Sequence, residues 1–294
     1  MAEQNPLVSV LLPVYNGGDC LFLAVETILQ QTHTNWELIL IDDGSTDFAV
    51  KEIEKLSDPR IRIIQDGKRL GLAARLNQGI ALSGGDYIAR MDADDLAFPV
   101  RLEKQLRFLE QNPEVDLLST QAVLFNENRI LGLLPFREKH SEITQSPWRG
   151  IPMPHPTWMG RTHWFRRFQY LIPEVILAED QELLLRALPQ SRYHGLPEVL
   201  LAYRQGKFSL KKRLKARGQL LKAQLRIFLP RGKGFSFLAA IAVTGAKIFS
   251  DIACSIRKGT GTSLFWKPAA VPTEVIRQVE AIWVGNKQLK SPNK

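Results

Sequence analysis

Through residue 130 or so, short runs of aliphatic and β-branched residues alternate with stretches whose apolar positions recur every three to four residues. That is the pattern of βαβ units on a mostly parallel sheet. Apolar runs predict strands at 7–13 (LVSVLLP), 37–43 (ELILIDD), 61–65 (IRIIQ) and 86–91 (DYIARM). Helical spacing predicts helices from Asp19 to Gln31, over 47–57 and over 71–82. Pro99 stands where a further helix can begin, with Leu102, Leu106 and Leu109 on one face. The stretch from 115 to 203 is less regular. Residues 151–165, IPMPHPTWMGRTHWF, carry three prolines, two tryptophans and two histidines, which predicts an extended loop over the sheet edge. Residues 175–188 predict a loop entering a helix that buries Leu184, Leu185 and Leu188, and 196–204 predict a short strand.

Beyond Tyr203 the pattern changes. In 208–229, Leu210, Leu214, Leu221, Leu225 and Phe228 form one helical stripe, with cations on the other face. The run FSFLAAIAVTGA (235–246) is shorter than the ~20 residues that span a bilayer. Extending it to Ile256 brings in Lys247 and Asp251, which disfavours a simple span. KPAAVP (267–272) predicts a linker before a last helix around 273–285. The expected organisation is a Rossmann-like α/β unit over 1–204, followed by a basic, amphipathic helical region over 205–294.

Composition narrows the function classes. Of the 294 residues 45% are hydrophobic and 23% charged, which excludes a disordered chain and allows a full core. Cys20 and Cys254 are the two cysteines, too few and too far apart for a disulfide framework or zinc-ligand spacing, which fits a reducing compartment. The start, MAEQNPLVSV, has neither a basic segment nor a long apolar one, so the expectation is a cytosol-facing protein without a leader. The net charge is +9, and eleven Lys and Arg with no Asp or Glu fall between Arg204 and Lys233. Without that segment the chain is slightly acidic.

The acids have their own pattern. IARMDADDLAFP (88–99) runs from an apolar strand into Asp92, Asp94 and Asp95, and LILIDDGSTD runs into Asp42 and Asp43. In open α/β sheets, functional groups lie beyond the carboxyl ends of strands, where Tyr15 and Asn16 also fall. Asp92 and Asp94 can offer oxygens to a divalent cation and a ribose hydroxyl, or they can cap the helix at Pro99. Asp43 can accept from a uracil N3–H with Tyr15 stacked on the base, or it can belong to the turn at Gly44. Gly44 and Asp47 are assigned to the turn and cap alone.

The segments VSVLLPVYNG, ELILIDDGSTD, GLAARLNQGIALSGGDYIARMDADD, HPTWM and AEDQELLLRAL occur in the order found in family-2 glycosyltransferases, and the chain resembles them from about residue 7 to 204. The resemblance implies a GT-A fold, a nucleotide-sugar donor (usually UDP-linked), a divalent cation (Mg²⁺ or Mn²⁺), and transfer with inversion at the anomeric carbon. It implies that Pro13, Tyr15 and Asp43 border the nucleobase. Asp92 would contact ribose or help hold the metal, Asp94 would be the direct metal ligand, and Asp95 is left as structural. Asp180 matches the catalytic base. His155 lies in the acceptor-side loop, as a contact to acceptor or diphosphate, and Arg75 and Arg204 are candidates for phosphate contact. Two positions depart from the family. Where a tryptophan often follows the base, this chain has Glu182-Leu183-Leu184-Leu185-Arg186, and where a histidine often follows the Tyr-Arg pair it has Gly206. No Q-x-x-R-W follows the base, so a processive synthase is not expected.

A basic amphipathic region suits an anionic membrane surface, with each Lys or Arg contributing ~1 kcal/mol. It suits an acceptor sugar on a lipid diphosphate carrier at the inner face of a plasma membrane, in surface or extracellular polysaccharide synthesis. The other use of the region is a helix packed on the catalytic unit. Nucleic-acid binding is not expected, because no recognised motif accompanies the charge. Two rival functions are a sugar-nucleotide pyrophosphorylase and a non-catalytic glycosyltransferase-like membrane scaffold. The first needs a basic, glycine-rich phosphate loop, and LLPVYNGGD has no basic residue.

Overall fold

The computed structural model describes residues 5–127, 129–173, 177–206, 208–256 and 269–289. The start of the predicted loop at 175–176, the first two residues of the 267–272 linker and residues 1–4 lie outside them.

The first half follows the hydrophobic pattern. It comprises β1 (Val8–Val14), α1 (Gly18–Leu29), β2 (Trp36–Asp42), α2 (Ala49–Glu54), β3 (Ile61–Ile64), α3 (Leu72–Leu82) and β4 (Tyr87–Arg90). The two-residue β5 (Leu96–Ala97) and α4 (Arg101–Gln111) follow. Strand β1 is buried along its whole length because side chains alternate between two covered faces. Val8, Val10, Leu12 and Val14 join one core with α1 and α4, while Leu11 joins a second with Ile39, Ile41 and α3.

The second half comprises β6 (Leu117–Phe125), β7 (Ile130–Leu133), α5 (His140–Ile143), β8 (Met159–Arg161), α6 (Thr162–Arg167), α7 (Glu179–Ala187) and β9 (Tyr193–Arg204). After it come α8 (Leu210–Phe228), α9 (Gly234–Ile256) and α10 (Thr273–Leu289). Among the described residues the strands form one sheet in the order β3-β2-β1-β4-β8-β6-β9-β5, with β7 paired to β6. The β1–β2, β1–β4, β2–β3 and β6–β9 pairs are parallel. Strand β8 runs antiparallel to both of its neighbours, β4 and β6.

Two expectations are corrected. Residues 151–165 do not lie over the sheet edge. Three of them form β8 at the centre of the sheet, between β4 and β6. Three residues are too few to show a period in sequence, and the prolines that suggested a loop all precede Trp158. Gly160 makes the insertion possible, since a Cβ there would lie 2.6 Å from the Asp116 carbonyl oxygen. Strand β9 starts at Tyr193, three residues before the predicted strand, and Pro197 is accommodated where the register with β6 shifts between Thr120 and Gln121.

The second correction concerns α8. Its packed face is Ala223, Gln224, Ile227 and Phe228, with Leu220 alongside, whereas Leu225 is exposed. One alanine and one glutamine share this face with Ile227 and Phe228, so the leucine stripe did not mark the buried side. The apolar surface belongs instead to α9, where Phe235 is 91% exposed, Phe249 71% and Ile256 77%. By length and composition α9 could cross a membrane. Its two charges face inward: Asp251 is buried against Arg213 and Arg217 of α8 (3.0 and 3.2 Å), and Lys247 Nζ donates to the Arg149 carbonyl (2.7 Å). Helix α10 returns to the sheet, where Val279 is buried and Val275 packs against the same cluster beside β5 and β6.

Gly160→Ala should lower stability by about 1–3 kcal/mol in urea unfolding, because the new Cβ meets backbone. Gly218→Ala, on α8 with open space around its Cβ, should instead raise stability by about 0.5–1 kcal/mol.

Candidate active site

Strand β4 ends at Arg90, and the chain then turns through Asp92–Asp95. Helix α4 begins only at Arg101 and has no side-chain cap, so these aspartates do not cap it. Asp95 is fully buried, with Oδ1 accepting from the Arg204 amide (2.8 Å) and Oδ2 without a partner. Burial, then Asp92 and Asp94, push its carboxyl well above the usual range, with the Arg204 amide and Arg90 opposing. Asp92 and Asp94 are half-buried and line a cavity of 1160 Å³. Burial and the charge of Asp92 push Asp94 upward, with Arg204 and Arg90 acting against them.

Arg90 was not singled out by its sequence, and it sits at the centre of the site. It is 2% exposed, and its Nη2 is paired with Asp92 Oδ1 at 2.5 Å. Among the described residues its Nε and Nη1 have no partner, although the side chain lines the cavity. Its carbonyl is held from behind by Arg101, which donates to Arg90 O (2.7 Å) and Pro156 O (2.8 Å). Arg101 therefore joins the end of β4 to the loop carrying His155. Burial lowers the Arg101 guanidinium to about 9, which leaves it charged at neutral pH.

His155 is buried against the cavity, its Nε2 2.6 Å from the Tyr170 hydroxyl and its ring 4.5 Å from that of Trp158. Burial, and then Arg90, hold it well below the usual histidine range. It is a neutral hydrogen-bonding group rather than a cation.

The other acidic turn is rigid. Asp42 Oδ1 accepts from the Ser45 amide (2.9 Å), and Asp47 Oδ2 from the Gly18 amide (2.8 Å). Asp43 Oδ1 accepts from Leu70 N (2.7 Å), Gly71 N (3.0 Å) and Arg75 Nε (3.0 Å), while Oδ2 takes only the longer arm from Gly71 (3.1 Å). Asp43 Oδ2 thus keeps capacity for another donor. Arg75 does not have the exposed position expected of a phosphate contact. It is fully buried and directs its guanidinium to Asp43, to Asp66 on both Nη groups, to Gln78 and to the Lys68 carbonyl. A guanidinium has five N–H groups, and these contacts use them all. Arg75 braces Asp43. Pro13 is in β1 opposite Ile41, and Tyr15 follows that strand 40% exposed with the Arg69 guanidinium 3.9 Å over its ring. Arg69 is a second residue that sequence patterning did not single out.

Across the cavity, Asp180 lies in the first turn of α7, whose N-cap is Ala178, so its side chain does not cap the helix. Its Oδ2 accepts from Gln181 Nε2 (3.3 Å). Burial raises its carboxyl above the usual range, with backbone amides, Gln181 and Arg90 opposing. Glu179 also lines the cavity and is raised by burial and by Asp180. Leu183, Leu184 and Leu185, which occupy the helix after Asp180, are core residues. Arg204 lines the cavity beside Asp94, donating from Nε to the Asp94 carbonyl (2.9 Å). The cavity therefore gathers Asp92, Asp94, Asp180, His155 and Arg204, while Pro13, Tyr15 and Asp43 stand at the ends of β1 and β2 outside its lining.

Among the described residues, no group of three His, Cys, Asp or Glu converges as a metal cage. Asp94 and Asp92 remain as a donor set. A hard cation that takes one or two carboxylates and completes its shell with phosphate oxygens and water fits that set.

Comparison with known proteins bears on family and fold. The model of glycosyl transferase family 2 matches residues 9–168. The Bacillus subtilis (strain 168) protein named as glycosyltransferase EpsE is 35% identical over 219 residues, covering 72% of this chain and 77% of that one. The uncharacterized glycosyltransferase MJ1057 of Methanocaldococcus jannaschii is 31% identical over 208 residues, covering 68% and 71%. Among solved structures, S. aureus TarS 1–349 in complex with UDP-GlcNAc is similar with TM-score 0.60 at 16% identity, over 83% of this chain and 72% of that one. The mannosyltransferase PcManGT from Pyrobaculum calidifontis, in complex with GDP-Man and Mn²⁺, has TM-score 0.59 at 18% identity, over 98% and 89%. The fold is that of these enzymes, GT-A.

Arg75→Met should destabilise the protein by about 3 kcal/mol in urea unfolding, since it leaves buried Asp43 without its counter-charge. Arg204→Met, at the half-buried cavity wall, should cost less than about half of that.

Proposed function

This chain belongs to glycosyltransferase family 2, and from that premise we propose that it transfers a sugar, with inversion, from a UDP-linked donor to a hydroxyl of a saccharide acceptor. The acceptor is carried on a lipid diphosphate, for surface or extracellular polysaccharide. The observation that carries the reading is the single cavity that sets Asp92 and Asp94 against Asp180.

The proposed roles combine the family resemblance with these positions. Asp43 Oδ2 accepts from the base, and the ring of Tyr15 stacks on it once Arg69 moves aside. Pro13 borders the base, and Asp92 reaches the ribose. Asp94, with Asp92, would hold a divalent cation, whose charge stabilises the leaving diphosphate when it is bound. The Arg90 N–H groups without protein partners, together with Arg204, face the same negative charge. Asp180 takes the proton of the acceptor hydroxyl as its oxygen attacks C1, and the bond from C1 to the diphosphate oxygen breaks on the opposite face. Such assistance is worth ~10²–10⁴ in rate. Neutral His155, fixed by Tyr170, orients the acceptor side. The reading is of a non-processive hexosyltransferase.

The anionic membrane surface is placed against α9. Its outward face carries Phe235, Leu238, Ile241, Phe249, Ile252 and Ile256, and exposed Lys211, Lys215, Lys222 and Arg226 lie on the adjoining α8. An uncharged apolar face beside exposed cations suits shallow insertion at an anionic interface. Co-sedimentation should occur with phosphatidylglycerol-containing vesicles and fall sharply for Phe235→Asp/Phe249→Asp.

Calorimetry should show UDP binding in Mn²⁺ that disappears in EDTA and in Asp94→Ala; binding that survives both would remove the assigned metal role. Asp180→Asn should keep UDP binding and lose about 10²–10⁴ in transfer rate. A base acts only when ionised, and burial raises Asp180, so the acid limb of kcat/KM should lie above the ordinary aspartate value of 3.8. Arg90 favours the ionised form, so Arg90→Gln should move that limb to still higher pH.

A further inference from the structure

The cavity has a second end that the reaction chemistry leaves unused. Arg149, Lys212, Arg217 and Lys247 line it, drawn from the loop before the His155 segment, from α8 and from α9. Outside the Asp92, Asp94, Glu179 and Asp180 group, Glu142 is the carboxylate in the described wall. Among the described residues, neither Arg149 nor Lys212 has an ion-pair partner. Arg217 uses Nε on Asp251 (3.2 Å), and Lys247 Nζ gives one N–H to the Arg149 carbonyl (2.7 Å). An ammonium has three N–H groups, so Lys247 retains donors. Burial, followed by the repulsion of Arg217 and Arg149, lowers Lys247 to about 8. Arg149 and Lys212 are exposed and Arg217 and Lys247 half-buried, and four cations gathered at one wall with fewer carboxylates favour an incoming anion.

This end is built onto the reacting end. Gln181, the residue after Asp180, holds the loop two residues beyond Arg149. Its Oε1 accepts from Ile151 N (2.8 Å) and its Nε2 donates to Ile151 O (3.1 Å). A smaller adjoining cavity of 220 Å³ is lined by both Asp180 and Arg217. Helix α8 is fixed to the same loop by Gln224 Nε2, which donates to the Trp148 carbonyl (3.1 Å).

We propose that Arg149, Lys212, Arg217 and Lys247 form a subsite for a phosphate or diphosphate group carried by the acceptor, placing the acceptor hydroxyl at Asp180. The proposal rests on the assignment of Asp180 as the acceptor-side base. It gives the helices beyond β9 a part in acceptor binding as well as in surface attachment.

The test uses the full chain, with inorganic pyrophosphate as probe, by calorimetry in EDTA so that no metal supports binding at the nucleotide end. Wild-type protein should bind, Asp94→Ala should bind equally, and Arg149→Gln/Lys212→Gln should bind at least about tenfold more weakly, as loss of two charge-assisted contacts implies. No binding by wild type, or equal binding by the double variant, overturns the proposal, as does binding lost only in Asp94→Ala. UDP with Mn²⁺ serves as the fold control for the double variant; if that binding fails, Arg149→Gln alone carries the comparison. Wild-type protein that fails to bind UDP, yet binds pyrophosphate through Arg149 and Lys212, would refute the donor assignment and leave the anion subsite standing. Farnesyl diphosphate separates the two sources of the group. Tighter binding than pyrophosphate, with the same dependence on Arg149 and Lys212, marks a lipid-borne phosphate, and equal binding marks recognition of the phosphate alone.

Discussion

Arg90 is a buried positive charge against which the carboxylates of the cavity are set. Its ion pair with Asp92 fixes one carboxylate, and its charge opposes the upward push of burial on Asp94, Asp95, Glu179 and Asp180. So many acids in a partly dry wall would otherwise favour their neutral forms. A carboxyl group binds a cation well, or accepts a proton, only in its ionised form. The position of Arg90 depends in turn on Arg101, whose guanidinium holds the carbonyl at the end of β4 and that of Pro156 together. Two buried arginines thus join the acidic turn to the histidine loop, and the surrounding core holds them in place.

The sheet explains why the two halves of the site meet. Strands β4 and β6 are joined through β8, so the acidic turn after β4 and the loop before β8 lie side by side. Strand β9 brings Tyr203 and Arg204 to the same wall, where Arg204 holds the carbonyl of Asp94 and the carboxylate of Asp95. The second acidic turn belongs to the parallel part of the sheet. There Asp43 is fixed by the amides of Leu70 and Gly71 and by Arg75. One end of the sheet is stiffened by regular alternation, the other by polar bonds between irregular segments.

The parallel half was legible because a buried strand announces itself by continuous apolar residues, and its carboxyl end then points to Asp43, Asp92 and Asp94. The remainder was written in signals that periodicity does not carry. Strand β8 has three residues, and its place depends on Gly160 having no side chain. Arg90 looked like an ordinary strand residue, and only the fold shows that its charge is enclosed. Arg75 looked like a surface cation on α3, but Asp66, far from it in pattern, turns it inward. On α8 the contact is made by Ala223, Gln224, Ile227 and Phe228 rather than by the leucine stripe. The roles carried over to Tyr15, Asp43 and Asp180 came from family resemblance; the residues alone left a turn as open as a base contact for Asp43 and favoured a helix cap for Asp180.

The walls of the cavity come from two separate stretches of chain. Residues up to β9 supply the acids, while α8 and α9 supply Lys212, Arg217 and Lys247, and the two stretches meet where Gln224 donates to the Trp148 carbonyl. Substitutions along α8 and α9 can therefore accumulate without disturbing the bonds that fix Asp43 or Asp92. A lineage of such proteins could keep the acidic end of the cavity while its cationic end drifts, with the Gln224 contact marking the seam between them.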